Sequence, residues 1–258
     1  MQPKIKIEKI QGTPEILAQR VPPNAKFERT VEAVEISEPM LVLGSSGDEK
    51  NYRVDKLESE FKNQIKIVKR RSGGGAVLVI PGSFIWVNIL IPADDPAYEL
   101  NLKKSFNYVG KQLACILNEL YGLAPKGLNA HESTESFYVR SKPLQNSLEG
   151  KIWCFLDGNE GEVYFGKKKV VGISQRRNRF GSCYYVGINS ADRFTEMDLI
   201  TLYDRLGAKR VTAFTDKSSY STDAKHFDFA SKIKILPDLD QGKFISLLAR
   251  YLTEDLYQ

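Results

Sequence analysis

Apolar residues at Leu102, Phe106, Val109, Leu113, Ile116, Leu117 and Leu120 recur at alternating spacings of four and three, which predicts an amphipathic helix between Pro96 and Gly122. Asp94 or Asp95 is expected to cap its start and Gly122 its end. The same period predicts helices over residues 195–206 and 241–252, the last with Phe244, Leu247, Leu248 and Tyr251 on one side. Elsewhere the apolar runs have strand length: residues 40–43, 65–68, 76–80, 84–91, 152–155, 162–165, 170–173 and 183–188. Pro81-Gly82 reads as the turn of a hairpin between two of these runs, and Gly166-Lys167 as the turn of another.

Strands and helices therefore alternate irregularly, with hairpins between them. That pattern predicts an α+β fold with a mixed, largely antiparallel sheet flanked by helices. Residues 1–35 show little apolar periodicity, and Val21-Pro22-Pro23-Asn24 reads as a linker, so they are expected to form an N-terminal extension to a main domain of residues 36–258. The last stretch of that domain, about 60 residues, reads as a small C-terminal appendage.

At 258 residues and 42% hydrophobic, the chain can bury a sizeable core. Its longest apolar run, residues 84–92, is interrupted by Asn88 and is far short of the roughly twenty residues of a membrane helix. The first residues carry no apolar signal core, so a cytoplasmic protein without membrane contact is expected. Cys115, Cys154 and Cys183 are too few and scattered for a disulfide framework or a paired zinc site, and no metal is expected. A net charge of +5 favours an acidic partner, but 32 carboxylates are interspersed with 37 basic residues, which argues against nucleic acid.

Two motifs carry chemistry. In Arg70-Arg71-Ser72-Gly73-Gly74-Gly75-Ala76-Val77, three glycines let backbone approach a ligand closely, beside arginines with forked donors. The run lacks the Gly-Lys-Ser/Thr ending of a P-loop, and no G-x-G-x-x-G opens a helix. The second motif is the hairpin Gly166-Lys167-Lys168-Lys169-Val170-Val171-Gly172-Ile173-Ser174-Gln175-Arg176-Arg177, on which Lys169 faces opposite to Lys168. Lys169 is either one more solvated lysine or a cation pointing into a cleft. Cys154, in Trp153-Cys154-Phe155, is either a buried structural thiol or a nucleophile activated by a nearby cation. Cys115 and Cys183 fit the structural role. His131 reads as an exposed loop residue, and Arg176, Arg177 and Arg179 as a surface patch for a partner protein.

These two motifs, in this order, resemble the acyl-binding site of the biotin/lipoate protein ligase superfamily, in its branch of lipoate-protein ligases, octanoyltransferases and lipoyl amidotransferases. Aligned on the glycines, Lys69 and Arg70 take the places of the family's arginine pair. Lys169, Gly172, Ser174 and Gln175 fall on its hairpin lysine and the segment that follows, and Met40-Leu41-Val42-Leu43-Gly44 on its early strand. Many members carry a histidine where this chain has Val79. The resemblance implies a lipoate/biotin ligase type of catalytic domain that transfers an octanoyl or lipoyl group to a lysine of an acidic lipoyl-type carrier domain. Arg70, Ser72, Gly73, Gly74, Gly75, Ala76, Val77, Gly172, Ser174 and Gln175 would bind the acyl group, and Lys169 would orient its carbonyl. Cys154, fifteen residues before Lys169 as in the transferase and amidotransferase branches, would form an acyl-thioester without a cofactor. Two rivals follow: an ATP- and Mg-dependent lipoate-protein ligase, supported by Gly75, and a non-catalytic relative that binds a carrier or nucleic acid through Arg70, Arg71, Arg176, Arg177 and Arg179. The Gly-Arg-Gly-Arg loop of biotin ligases is absent.

Overall fold

Strand β6 (Phe84–Pro92) is buried along all nine of its residues, because both of its faces are covered. Ile85, Val87, Ile89 and Ile91 point into one apolar cluster, and Phe84 and Trp86 into another. The computed structural model describes residues 4–57, 61, 65–124, 135–140, 152–156, 158–191, 195–206 and 234–254. Around β6, a mixed sheet runs in the order β1 (Lys6–Ile10), β2 (Thr30–Val34), β6, β10 (Gly181–Ala191), β9 (Lys168–Asn178), β8 (Val163–Phe165) and β7 (Tyr138–Val139). Its pairings are antiparallel except those of β1 with β2 and of β10 with the short β11 (Leu236–Pro237).

The back of this sheet carries α2 (Leu102–Leu120) and α4 (Gln241–Glu254), whose apolar stripes close one cluster with β6, β9 and β10. Its front carries a second sheet of three strands, β4 (Lys66–Lys69), β3 (Met40–Leu43) and β5 (Val77–Val79), with α1 (Pro14–Ala18) and α3 (Glu196–Leu206) packed into the same cluster. The α+β class with a mixed sheet and flanking helices is the one the sequence predicts. Among the described residues, no helix is long and apolar enough to cross a membrane.

Several expectations need correction. Within residues 4–35, expected as an extension, β1 and β2 are strands of the main sheet, and β2 pairs with β6. The runs around Pro81-Gly82 do not pair with each other. β5 joins β3 while β6 joins β2 and β10, so the turn carries the chain from one sheet to the other. Asn101, not Asp94 or Asp95, caps α2 by accepting from Lys104 N. Asp95 is drawn instead to the buried Arg29, whose guanidinium also bonds the carbonyl of Leu252 and so ties the end of α4 to the sheet. That helix lies in the common core and is no appendage. Residues 152–155 form only a single bridge, Ala76 with Trp153, followed by a turn. His131 lies outside the described residues.

Candidate active site

The glycine run owes its path to two close approaches. Gly74 has a φ of +102°, a left-handed conformation that side chains with a Cβ rarely adopt. A methyl group on Gly75 would lie 2.6 Å from Cys154 N and from the carbonyl carbon of Trp153. Because nothing stands there, Ala76 reaches the neighbouring segment: its N–H donates to Ile152 O at 2.7 Å, and Cys154 N–H donates back to Ala76 O at 2.9 Å. Arg70, 6% exposed, braces the run by donating from Nη2 to Gly73 O (2.8 Å) and Gly75 O (3.0 Å). Ser72 lies 2.9 Å from Ser174, oxygen to oxygen, joining the first motif to the second.

Trp153, fully buried, anchors the turn that carries Cys154. Its indole meets Tyr52 and Tyr203 edge to face, at 5.1 and 5.2 Å. Tyr52 donates to Ile152 O, and Tyr203 of α3 accepts from Leu78 N. The half-buried Cys154 is thus presented by a turn pinned on three sides.

Lys169 is not a solvated lysine: its side chain is 2% exposed. Its ammonium donates to Cys154 O at 2.6 Å, stands 3.9 Å from Cys154 Sγ, and pairs with Glu162 Oε1 at 2.6 Å. The Phe155 ring lies 5.5 Å away. Glu162 is equally buried and accepts from Asn159 N at 2.8 Å and Ile173 N at 3.3 Å. Burial pushes its carboxyl above the usual range, against the opposing pull of Lys169 and of the two backbone donors.

Two cavities meet at this point. One is an apolar tunnel between the sheets, lined by Val77, Val79, Trp86, Gly172, Tyr185 and Gly187. The other is a polar chamber lined by Gly73, Gly74, Gly75, Asn159, Glu162, Lys169 and Gln175. Arg70, Cys154, Ile173 and Ser174 line both. The Gln175 amide, buried, has no hydrogen-bond partner among the described residues.

The structure therefore brings together Cys154, Lys169, Arg70, Ser72, Gly73, Gly74, Gly75, Ala76, Val77, Gly172, Ser174 and Gln175. Val79, at the position where many relatives carry a histidine, lines the tunnel. Arg71, Arg176 and Arg179 are exposed. Cys183 is fully buried beside Glu32 and Tyr185, and burial pushes its thiol up, as suits a structural thiol; Cys115 is buried within α2. Sequence reasoning missed Glu162, Tyr52 and Tyr203. Only Glu162 left a trace, as a lone acid opening an apolar strand across the hairpin from Lys169. Among the described residues, no group of three or more His, Cys, Asp or Glu is placed to hold a metal ion.

A buried lysine beside a half-exposed thiol, where an apolar tunnel opens into a polar chamber, could hold a ligand with an apolar tail and a polar, carbonyl-bearing end. The sequence matches the family described as the lipoyl protein ligase A/B catalytic domain over residues 14–201, and the chain belongs to that family. Comparison with curated proteins gives no match. Among solved structures, it is similar to a bi-partite lipoate protein ligase studied with its E2 lipoyl domain from Thermoplasma acidophilum (TM-score 0.61, 13% identity, 97% of this chain and 83% of that one). It is also similar to the T. acidophilum protein Ta0514 with bound lipoic acid (TM-score 0.54, 15% identity, 98% and 96%). A third is lipoate-protein ligase A bound with ATP (TM-score 0.54, 14% identity, 98% and 94%). At such identities the likeness is one of fold.

Proposed function

We propose that this protein transfers an octanoyl or lipoyl group to a lysine of a lipoyl-type carrier domain through an acyl-thioester on Cys154. The observation that carries this reading is the position of the Cys154 thiol, where tunnel and chamber meet, with the Lys169 ammonium 3.9 Å away. The tail of an acyl thioester donor would lie in the tunnel with its carbonyl at Cys154. The thiolate would attack that carbonyl, the donor thiol would leave with a proton, and the acyl group would remain on Sγ. The neutral amine of the acceptor lysine would then attack the thioester from the chamber side, forming the amide and returning the thiol. Lys169 would stabilise the oxyanion of both tetrahedral intermediates. The solved relatives with lipoic acid and with an E2 lipoyl domain support this donor and acceptor class. The basic surface residues Arg176 and Arg179 suit an acidic carrier.

The second reading is ATP-dependent ligation through a lipoyl-adenylate, favoured by the likeness to an ATP-bound ligase. The chamber offers glycine-run backbone, Arg70 and Lys169 to a phosphate. Both readings call on the same two cations, Lys169, which pairs with a buried carboxylate, and Arg70, which donates to two carbonyls, so the need for ATP is what separates them.

The deciding experiment mixes the protein with an octanoylated carrier in the absence of ATP and reads its intact mass. An octanoyl adduct that hydroxylamine removes and that C154A lacks is expected. Absence of an adduct, together with carrier modification that requires octanoate or lipoate and ATP, would establish the ligase reading instead.

A further inference from the structure

A lysine in the place of Lys169 is costly to keep charged. Its side chain is 2% exposed, and a lysine buried so far and left without an anion gives up its proton near or below neutral pH. The Cys154 carbonyl and the Phe155 ring bring it partial charges, whereas Glu162 brings a full negative charge at 2.6 Å. Among the described residues lining the chamber, the charged or titratable groups are Arg70, Cys154, Glu162 and Lys169, and Glu162 is the one carboxylate. Tyr52 and Tyr203, packed on the neighbouring Trp153, have hydroxyls that burial pushes up, so they stay uncharged. Across the hairpin Tyr164 opposes Lys169 and carries Arg140 over its ring at 5.4 Å, and Lys234 meets Lys169 through its backbone N–H.

The carboxylate is held at both of its oxygens. Oε1 accepts from Lys169 Nζ and from Ile173 N, and Oε2 from Asn159 N, so Glu162 has little freedom to turn away. The hairpin itself is bent at this point. Val163 pairs with Val171 and Tyr164 with Lys169, so one step along β8 answers two along β9, and Val170 has no counterpart. A bulge of this kind re-aims the side chains beside it. It falls directly after Lys169, whose Nζ lies 2.6 Å from the carboxylate and 3.9 Å from Cys154 Sγ. Glu162 thus stands behind the cation while the thiol stands in front of it, a separation that lets the acid act on the sulfur only by way of Lys169.

We propose that Glu162 is a positioning residue, which keeps Lys169 charged and aimed at the Cys154 sulfur and so sets the reactivity of a thiol it does not touch. The role rests on the acyl-transfer reading, but thiol reactivity is measured without donor or acceptor. The test is the rate of Cys154 alkylation by iodoacetamide against pH, read by mass spectrometry of the Cys154 peptide, with C154A as the blank. Loss of an opposite charge at this separation is expected to slow alkylation about 10- to 1,000-fold at about pH 7. K169M should show that loss directly. E162Q, which leaves the buried cation without an anion and so drives off its proton, should follow the profile of K169M although Lys169 is still present. E162D, which restores the charge on a shorter arm, should be faster than E162Q, and E162Q/K169M no slower than K169M. A second measurement uses the unaltered protein alone: NMR of isotope-labelled lysine should show Lys169 still an ammonium at about pH 9. A Lys169 signal that titrates below about pH 8 would overturn the proposal. So would a folded E162Q that reacts as fast as the unaltered protein or faster while K169M is slow, because Lys169 would then keep its charge unaided. Slow alkylation of both variants, with no acyl adduct formed from an octanoylated carrier, would uphold the positioning of Lys169 and overturn the acyl-transfer reading alone.

Discussion

Replacing Glu162 by Gln removes the countercharge of Lys169 while keeping shape and one hydrogen-bonding oxygen. At 2.6 Å and an effective dielectric of 20, the attraction between the two charges is about 6 kcal/mol. Gln recovers part of it by accepting from the ammonium or from one of the two backbone donors, Asn159 N and Ile173 N, but leaves a buried cation without an anion. A loss of about 3 to 5 kcal/mol of folding stability is expected, the range for breaking one side of a buried pair. Urea unfolding followed by fluorescence suits the measurement, because the two tryptophans, Trp86 and Trp153, both pack around the site. Far-UV circular dichroism run alongside tests whether site and fold unfold together. K169M alone should cost a similar amount, and E162Q/K169M much less than the two together, with a coupling of about 2 kcal/mol or more. Single variants that each cost under about 1 kcal/mol, or a double variant that is simply additive, would refute the claim that the two charges form one buried unit.

Three further outcomes follow from other contacts. R29M should cost about 3 kcal/mol, because it strands Asp95 and the Leu252 carbonyl, and hydrogen exchange should show the faster opening concentrated in α4. If Cys154 carries the acyl group as proposed, G75A should abolish its acylation while changing the circular dichroism little, since its methyl group would force apart the two backbone bonds joining Ala76 to residues 152 and 154; adduct formation at the wild-type rate would show that this junction is dispensable. Burial pushes the Tyr121 hydroxyl, which donates to Pro237 O, up to about 12. The folded state therefore holds that proton more tightly than the unfolded one, a stability contribution fully present below about pH 10 and lost as pH rises through 12. Absorbance at 295 nm should show tyrosines still protonated in the native protein at pH 11 that ionise when urea is added, and Y121F should remove part of that difference.

The helix α2, the strand runs and the second hairpin were readable because each states its period locally, and the glycine run and Lys169 because unusual residues stand together. What the sequence concealed is long-range. Nothing local says that residues 76–80 and 84–91 part into different sheets, since a hairpin and a crossover begin with the same Pro-Gly turn. β1 reads as Lys-Ile-Glu-Lys-Ile, a polar edge strand whose place is fixed by pairing with β2, 24 residues further on. Glu162 was missed for the same reason: its meaning lies in Lys169 across the hairpin. Tyr52 and Tyr203 act through Trp153, a partner named by tertiary packing alone.

Cys154 hangs on the glycine run beside one apolar cluster, whereas Val170 and Val171, next to Lys169, are packed into the other. Sulfur and nitrogen thus report how two separately packed halves of the interior sit against each other. If Cys154 and Lys169 act together as proposed, hydrostatic pressure, or a methyl group removed far from the site, would alter the reaction rate through that separation while every group that touches substrate stayed the same. Variants selected for higher or lower turnover should accordingly accumulate along the seam between the two cores as readily as at the tunnel itself.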